Sequence, residues 1–207
     1  MIITIGGGLG CGAKDIAIKL AEELGYTFVN DDLAKKAMEN SGYDISASTA
    51  EYFDDVTGSG SISDMKGLSA LTGNFGPIAS TLSYETIPLD QKLAMAQKKV
   101  ANDFADQGNC VLLGRCADYY LRDRKDVLKV FVINDEENCV ARIKQDFSID
   151  ETAARKMVKK ADKRRRDYYA FFTGEKWGDP ENHDIVISVA GLGIDGCVKI
   201  LKAAAAE

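Results

Sequence analysis

Histidine is nearly absent from this chain: His183 is the only one in 207 residues. One imidazole argues against His-based metal centres and against nucleophilic triads that need a histidine base. Cysteine is sparse too. Cys11, Cys110, Cys116, Cys139 and Cys197 are odd in number and contain no C-x-x-C, so neither a disulfide framework nor a zinc site is indicated. A reduced, cytoplasmic setting is expected. No stretch approaches the roughly 20 apolar residues a membrane span needs, and the chain enters a β-branched run at Ile2 without a signal-peptide pattern. No membrane partner is expected. Positive charge is in deficit, with a net charge of −6, which disfavours nucleic acid as a partner. Nothing in the pattern sets an oligomeric state.

What the chain does have in quantity is glycine near its start. Ile2 to Ile5 breaks into Gly6, Gly7, Gly8, Gly10 and Gly12 and then into the helical pattern IAIKLAEEL. A strand, glycine loop and helix N-terminus gather backbone N–H groups at the positive end of a helix, an arrangement suited to phosphate. In the pattern G-x-x-x-x-G-K-[ST], Gly7 and Gly12 supply the glycines, but Ala13 then stands where lysine belongs and Lys14 comes one place late. The other register, from Gly8, restores Lys14 but puts Ala13 at the second glycine and Asp15 at the hydroxyl position. One residue is about 100° of helix, so the register decides whether Lys14 faces the phosphates. The candidate phosphate-binding set is Gly7, Gly8, Gly10, Cys11, Gly12, Ala13, Lys14 and Asp15. Asp15 is either a magnesium ligand or a helix-start acid. Cys11 is either a thiol acidified by the helix N-terminus or an inert small residue.

Downstream, YTFVN reads as a second strand, with Asn30, Asp31 and Asp32 at its end. Such groups at a strand's carboxyl edge bind sugar hydroxyls or metals, or cap the next helix. Residues 44–88 lose periodicity and are rich in Gly and Ser, which reads either as a mobile substrate-covering region containing short helices or as a merely disordered loop. An amphipathic helix is expected from Ile87 to Gln107, strands at NCVLLG, DVLKVFVIN and DIVISV, and helices at 136–145, 150–170 and 195–205. Strands alternating with helices imply an α/β fold in one domain over 1–207, with a central parallel sheet.

The helix from Asp150 carries Arg155, Lys156, Lys159, Lys160, Lys163, Arg164, Arg165 and Arg166 in an otherwise acidic chain. That density repels itself unless an anion visits or Glu151 and Asp162 neutralise part of it. Tyr168, Tyr169, Phe171 and Phe172 follow at helical spacing and read as core packing. Arg115 and Asp118 sit just beyond NCVLL, at the same sheet edge as the glycine loop. There an arginine can reach a phosphate, and an aspartate can orient it or hold a hydroxyl.

The glycine-loop start, CVLLGRCADYYL, LKVFV, ADKRRRDYYAFFTGEKWGDPENHD and GLGID, in that order, resemble the cytidylate-kinase-like family, a branch of the nucleoside monophosphate kinases. GRCAD and DK-x-R-x-x-YY…TG…WGD are the specific signatures. The resemblance implies a three-layer P-loop kinase fold with an arginine-rich helical lid at about 149–180. It also implies transfer of the γ-phosphoryl of ATP, with magnesium, to a nucleoside monophosphate such as CMP or a similar small phosphorylated acceptor. By position it puts Gly10, Gly12 and Lys14 in the loop, Arg115 and Asp118 near acceptor or phosphates, and Arg164 and Arg166 in the lid. Asn30 and Asp31 fall in the acceptor region. Catalytic roles are thereby expected of Lys14, Arg115, Arg164 and Arg166.

Four positions depart from the true monophosphate kinases. Ala13 replaces the loop lysine, Asp15 a Thr or Ser, Asn30 an acidic residue, and Cys139 an arginine before Arg142. Losing one charge-stabilising donor costs on the order of 2.7 to 4 kcal/mol in such reactions, so two uncompensated losses would silence an enzyme. The alternative reading is therefore a catalytically impaired nucleotide-binding or regulatory protein that retains the kinase fold.

Overall fold

The computed structural model describes residues 1–29 and 89–206. Elements are numbered over those residues. Strand β1 (Ile2–Gly7) leads through the glycine loop into helix α1 (Ala13–Leu24), and β2 (Thr27–Val29) follows. After the undescribed segment come α2 (Leu89–Gln107), β3 (Cys110–Leu113), the short α3 (Ala117–Tyr120) and β4 (Val127–Ile133). Helices α4 (Glu136–Phe147) and α5 (Glu151–Thr173), a 3₁₀ turn (Pro180–Asn182), β5 (Ile185–Ser188) and α6 (Val189–Ala204) complete the chain. The expectations for Asn30, Asp31, Asp32 and 44–88 lie outside the described residues.

The five strands form one sheet in the order β2-β3-β1-β4-β5, every pair parallel. Parallel neighbours need crossover helices, which cover both faces and make the strands apolar on both sides. The side-chain alternation of period two then distributes each strand between two cores. Ile3, Ile5 and Val111 join Ile16, Leu20, Val130, Val132, Val198 and Leu201 on one face. Ile2, Cys110 and Leu112 join Val29, Ala101, Ala105 and Leu121 on the other. The result is the central parallel sheet expected from the alternation, in the three-layer arrangement that the family resemblance implies.

Helix boundaries have local causes. Helix α1 stops at Gly25, which takes the left-handed conformation (φ 68°) and whose N–H returns to the last turn. Helix α5 is capped by the Asp150 carboxylate, which accepts from the Ala153 N–H at 2.9 Å. The final helix starts at Val189 rather than near Asp195, because a non-helical Gly193 (φ 67°, ψ 171°) joins two helical pieces into one run. No helix among the described residues is long and apolar enough to cross a membrane.

Candidate active site

The centre of the sheet decides where a site can form. Strand β1 lies between β3 and β4; the chain leaves β1 toward β2 and leaves its neighbour β3 toward β4 on the other side, so the carboxyl ends of β1 and β3 border a crevice between crossovers. Pairing of Ile5 with Leu113 and of Gly7 with Val132 brings the segments after β3 and β4 alongside the glycine loop. Arg115, Asp118 and Asn134 thus share one sheet edge with Gly8–Asp15.

The loop itself is shaped by close approach. A Cβ on Gly10, whose φ is +76°, would lie 2.6 Å from the Cys139 carbonyl oxygen and 3.1 Å from its Cα. Backbone cannot move aside as a side-chain end can, so helix α4 fixes a glycine there. A Cβ on Gly8 would meet Asp162 Oδ2 at 2.9 Å. Gly12, also left-handed, is the N-cap residue of α1 and offers no side-chain cap, which leaves the first-turn N–H groups to other acceptors.

Ala13 and Lys14, the two residues at the disputed lysine position, differ in burial. Ala13 is buried against the core, and Lys14 is exposed, with no ion pair among the described residues. Asp15, the next residue around the helix, pairs with Arg142 of α4. Arg142 Nε is itself buried without a partner among the described residues. Cys11 is 2 % exposed. Burial pushes its thiol above the ordinary value, against the opposing pull of the Ala13 N–H and then Arg165; Asp162 adds to the rise and Arg142 subtracts. Desolvation outweighs the helix N-terminus and favours the neutral thiol, and Cys11 packs in the main core cluster.

The basic helix α5 does not lie as a bare cationic face. Arg155 bridges Glu136, Glu137 and Glu151 at 3.0, 2.8 and 3.1 Å, Lys159 reaches Glu136, and Lys163 pairs with Asp167. Acidic residues in the first turn of α4 thus neutralise its start. Of the arginines expected to act, Arg164 is buried and Arg166 is exposed. Arg165, between them, faces the loop: it contacts Asp162 at 3.3 Å, and its charge is felt at Cys11. Arg165 and Arg142 carry no catalytic expectation from the sequence. The signal for Arg165 was present, because the pattern DK-x-R-x-x-YY sets its arginine at position 165. Arg142 is visible in the sequence only as the arginine left after the Cys139 replacement, and it reaches the site from a different helix.

Helix α5 is tied to the sheet edge at two points. The Leu9 N–H donates to Asp162 Oδ1 at 2.8 Å, and the Tyr169 hydroxyl donates to Asp118 Oδ2 at 2.7 Å. Seven residues separate Asp162 and Tyr169, two turns and about 10 Å along one helix face. One helix therefore spans from the glycine loop to the Arg115 turn. Burial and the Asp118 charge push the Tyr169 hydroxyl far above its ordinary value, which keeps it a donor. Asp118 also faces His183, whose Nε2 lies 3.6 Å away and whose Nδ1 meets the Asp179 carbonyl oxygen at 2.8 Å. The lone histidine is a buried strut of this anchor, packed edge-on against Phe131. Among the other aromatics, Tyr168 and Phe172 pack at 4.6 Å and Phe171 and Phe172 at 5.0 Å, but these three are only partly buried and lie outside both cores, so of the four aromatics expected in the core only Tyr169 is buried.

The turn after β3 holds Gly114, Arg115 and Cys116 in succession in the left-handed region, with φ of 65°, 59° and 56°. For the two L side chains this costs about 1–2 kcal/mol each. It is held by the Gly114 N–H to the Ile5 carbonyl at 2.9 Å and by Ala117 N–H to the Gly114 carbonyl at 3.2 Å. Backbone strain of this kind concentrates at functional sites, and here it presents Arg115 beside the loop's strand.

A phosphate fits these residues: main-chain donors at a helix start, glycines that leave room, and two arginines at the rim. For magnesium the fit is narrower. Among the described residues no three His, Cys, Asp or Glu side chains gather into a cation cage. Asp15 alone could contribute, with nucleotide phosphates supplying the other ligands, which is how Mg²⁺ is commonly held.

A family profile described as the cytidylate kinase-like family matches residues 2–190. No curated protein matches the chain. Among solved structures, an uncharacterized protein from Eubacterium ventriosum ATCC 27560 aligns at 22 % identity and a TM-score of 0.72, covering 100 % of this chain and 99 % of its own. A shikimate kinase from Bacteroides thetaiotaomicron aligns at 10 % identity and a TM-score of 0.51, with 100 % and 99 % covered. At these identities the two likenesses establish the fold.

Proposed function

Because the chain belongs to the cytidylate kinase-like family, a P-loop kinase-type assignment is the premise from which we propose that it is an ATP-dependent phosphotransferase. Its acceptor is a nucleoside monophosphate, CMP-like, or a similar small phosphorylated metabolite. The observation that carries the reading is the span of α5, which joins the loop at Leu9 to the Arg115 turn at Asp118 and so sets donor and acceptor positions on one rigid element. The loop from Gly7 to Asp15 cradles the donor phosphates, and Lys14, exposed at its rim, adds a mobile positive charge. Arg142 and Arg165 neutralise charge at the loop, Arg115 holds the acceptor phosphate, and Arg166 stands further along the same helix. Arg164, buried in α5, anchors the helix. When bound with ATP, magnesium would supply charge neutralisation and orientation at the phosphates, with Asp15 as the protein ligand. A phosphate acceptor is already a nucleophile, so no general base is required of the chain. Residues 149–180 then act as the arginine-rich lid of a single domain, and small-molecule nucleotides are its partners.

A coupled ATP-consumption assay over a panel of nucleoside monophosphates with magnesium tests this. Turnover with one acceptor is expected. The second reading, a regulatory nucleotide-binding protein, is favoured by the Asp15–Arg142 pair, which ties up the one loop carboxylate. Absence of turnover with every acceptor, alongside calorimetric ATP binding, would select it.

A further inference from the structure

The carboxylate of Asp162 sits against the glycine loop. It accepts the Leu9 N–H at 2.8 Å, and its Oδ2 would lie 2.9 Å from a Cβ built on Gly8. It belongs to α5, more than 150 residues away in sequence, so the contact is tertiary and not a product of local turn geometry. The same carboxylate holds Arg165 at 3.3 Å. Its side chain is about three-quarters buried, which limits screening by water. A carboxylate bonded to a loop N–H and paired with an arginine reproduces the chemistry of a phosphate oxygen at such a site.

We propose that Asp162 is an internal surrogate anion: it occupies the Leu9 N–H and Arg165, and a phosphoryl group gains both by displacing it. This rests on the loop being the phosphate site and goes beyond it, because it makes α5 a sensor of loop occupancy. No covalent bond changes. The Leu9 N–H passes from one acceptor oxygen to another, and Arg165 passes from a carboxylate to a phosphate. Release of Asp162 changes only the contact of α5 with the loop, because Ala154, Val158 and Ala161 in the core and the Tyr169–Asp118 bond two turns away hold the helix on either side. The helix stays in place, and loop occupancy is passed along it to Arg165, the arginine that Asp162 holds when the loop is empty. The affinity for phosphate is set below what the bare loop would give, since binding must first break a charge-assisted hydrogen bond and an ion pair.

The test uses pyrophosphate and the full chain, read by calorimetry, so that it needs neither turnover nor an acceptor and stands apart from failure of the kinase reading. Asp162→Asn keeps the shape and an acceptor oxygen but removes the charge. Its pyrophosphate Kd is expected to tighten at least tenfold, equivalent to about 1.4 kcal/mol. Asp167→Asn removes the same charge from α5 at a residue paired with Lys163 and is expected to change Kd less than twofold. A second measurement in the unmodified protein covers a variant that fails to fold: with aspartate carboxyl groups labelled with ¹³C, saturating pyrophosphate moves the Asp162 carboxyl resonance and leaves that of Asp167 in place. An Asp162→Asn Kd that is unchanged or weaker overturns the proposal. So does equal tightening in Asp167→Asn, an Asp162 resonance that stays put, or absence of pyrophosphate binding in both proteins.

Discussion

Replacing Gly10 with alanine isolates the contact that shapes the loop. Two costs arise. The backbone at φ +76° is left-handed, which for an L residue costs about 1–2 kcal/mol. The new Cβ lies 2.6 Å from the Cys139 carbonyl oxygen and 3.1 Å from Ile143 Cγ1, so loop and α4 must separate, at about 1–3 kcal/mol for overpacking. Together the loss is about 2–5 kcal/mol, a large part of the roughly 5–15 kcal/mol typical of a domain. Gly25→Ala supplies the control, because Gly25 has φ +68° but nothing within 4 Å of its Cβ position. It should lose only the backbone part, about 1–2 kcal/mol. Urea unfolding followed by circular dichroism gives both values, provided the dependence on denaturant is shared. Gly10→Ala should also weaken ATP binding in calorimetry, since the N–H groups that converge on a phosphate move with the loop; Gly25→Ala should not. Losses equal within about 0.5 kcal/mol would refute the close approach of α4 as the reason for glycine at this position.

Tyr169→Phe removes the hydroxyl that donates to Asp118 and should destabilise by about 1.5–3 kcal/mol, the range for a hydrogen bond to a charged group, seen as a fall in thermal midpoint. Lys14→Ala should leave the midpoint unchanged, because the side chain is exposed, yet weaken ATP binding about tenfold or more; unchanged binding removes Lys14 from the site. Alkali should unfold the protein through its thiols. Burial pushes Cys110 and Cys139 up to about 11 from 9.0, so the unfolded chain releases their protons first. Their stabilising effect is complete below pH 9 and is lost as pH rises through about 11. Urea midpoints measured from pH 7 to 11 should stay level and then fall, with a shallower fall in Cys139→Ala.

Much of the fold was legible because periodicity is local. Ile2 to Ile5, CVLL and VLKVFVI announce buried parallel strands, and the glycines after β1 announce the loop. Helix ends were read where glycine stops them, as at Gly25. The last helix was read late because Gly193 breaks the helical backbone without ending the run. The site was legible as a location more than as a set of contacts. Arg115 and Asp118 were singled out from their place after a strand, but the left-handed run at Gly114–Cys116 leaves no mark in composition, and Asp118 turned out to hold Tyr169 and His183. Glu151 and Asp162, the counter-charges visible in the basic block itself, do pair with Arg155 and Arg165, but further carboxylates that neutralise its start come from α4.

The sequence by itself determined what depends on neighbours along the chain: the strand–loop–helix start, the alternation that demands a two-sided parallel sheet, the family signatures, and the lack of imidazoles for metal or triad chemistry. The tertiary structure decided what depends on partners far apart. It turned Ala13 inward and Lys14 outward, gave Asp15 to Arg142, brought Asp162 onto the Leu9 N–H, and made Arg165 the arginine that faces the loop. The physical reason is that hydrogen bonds and ion pairs act over a few ångströms of space, and a chain of residues specifies such distances only once its sheet and helices have packed. The glycine-rich start was visible at once, and the anion that meets it in the fold came from the other end of the chain.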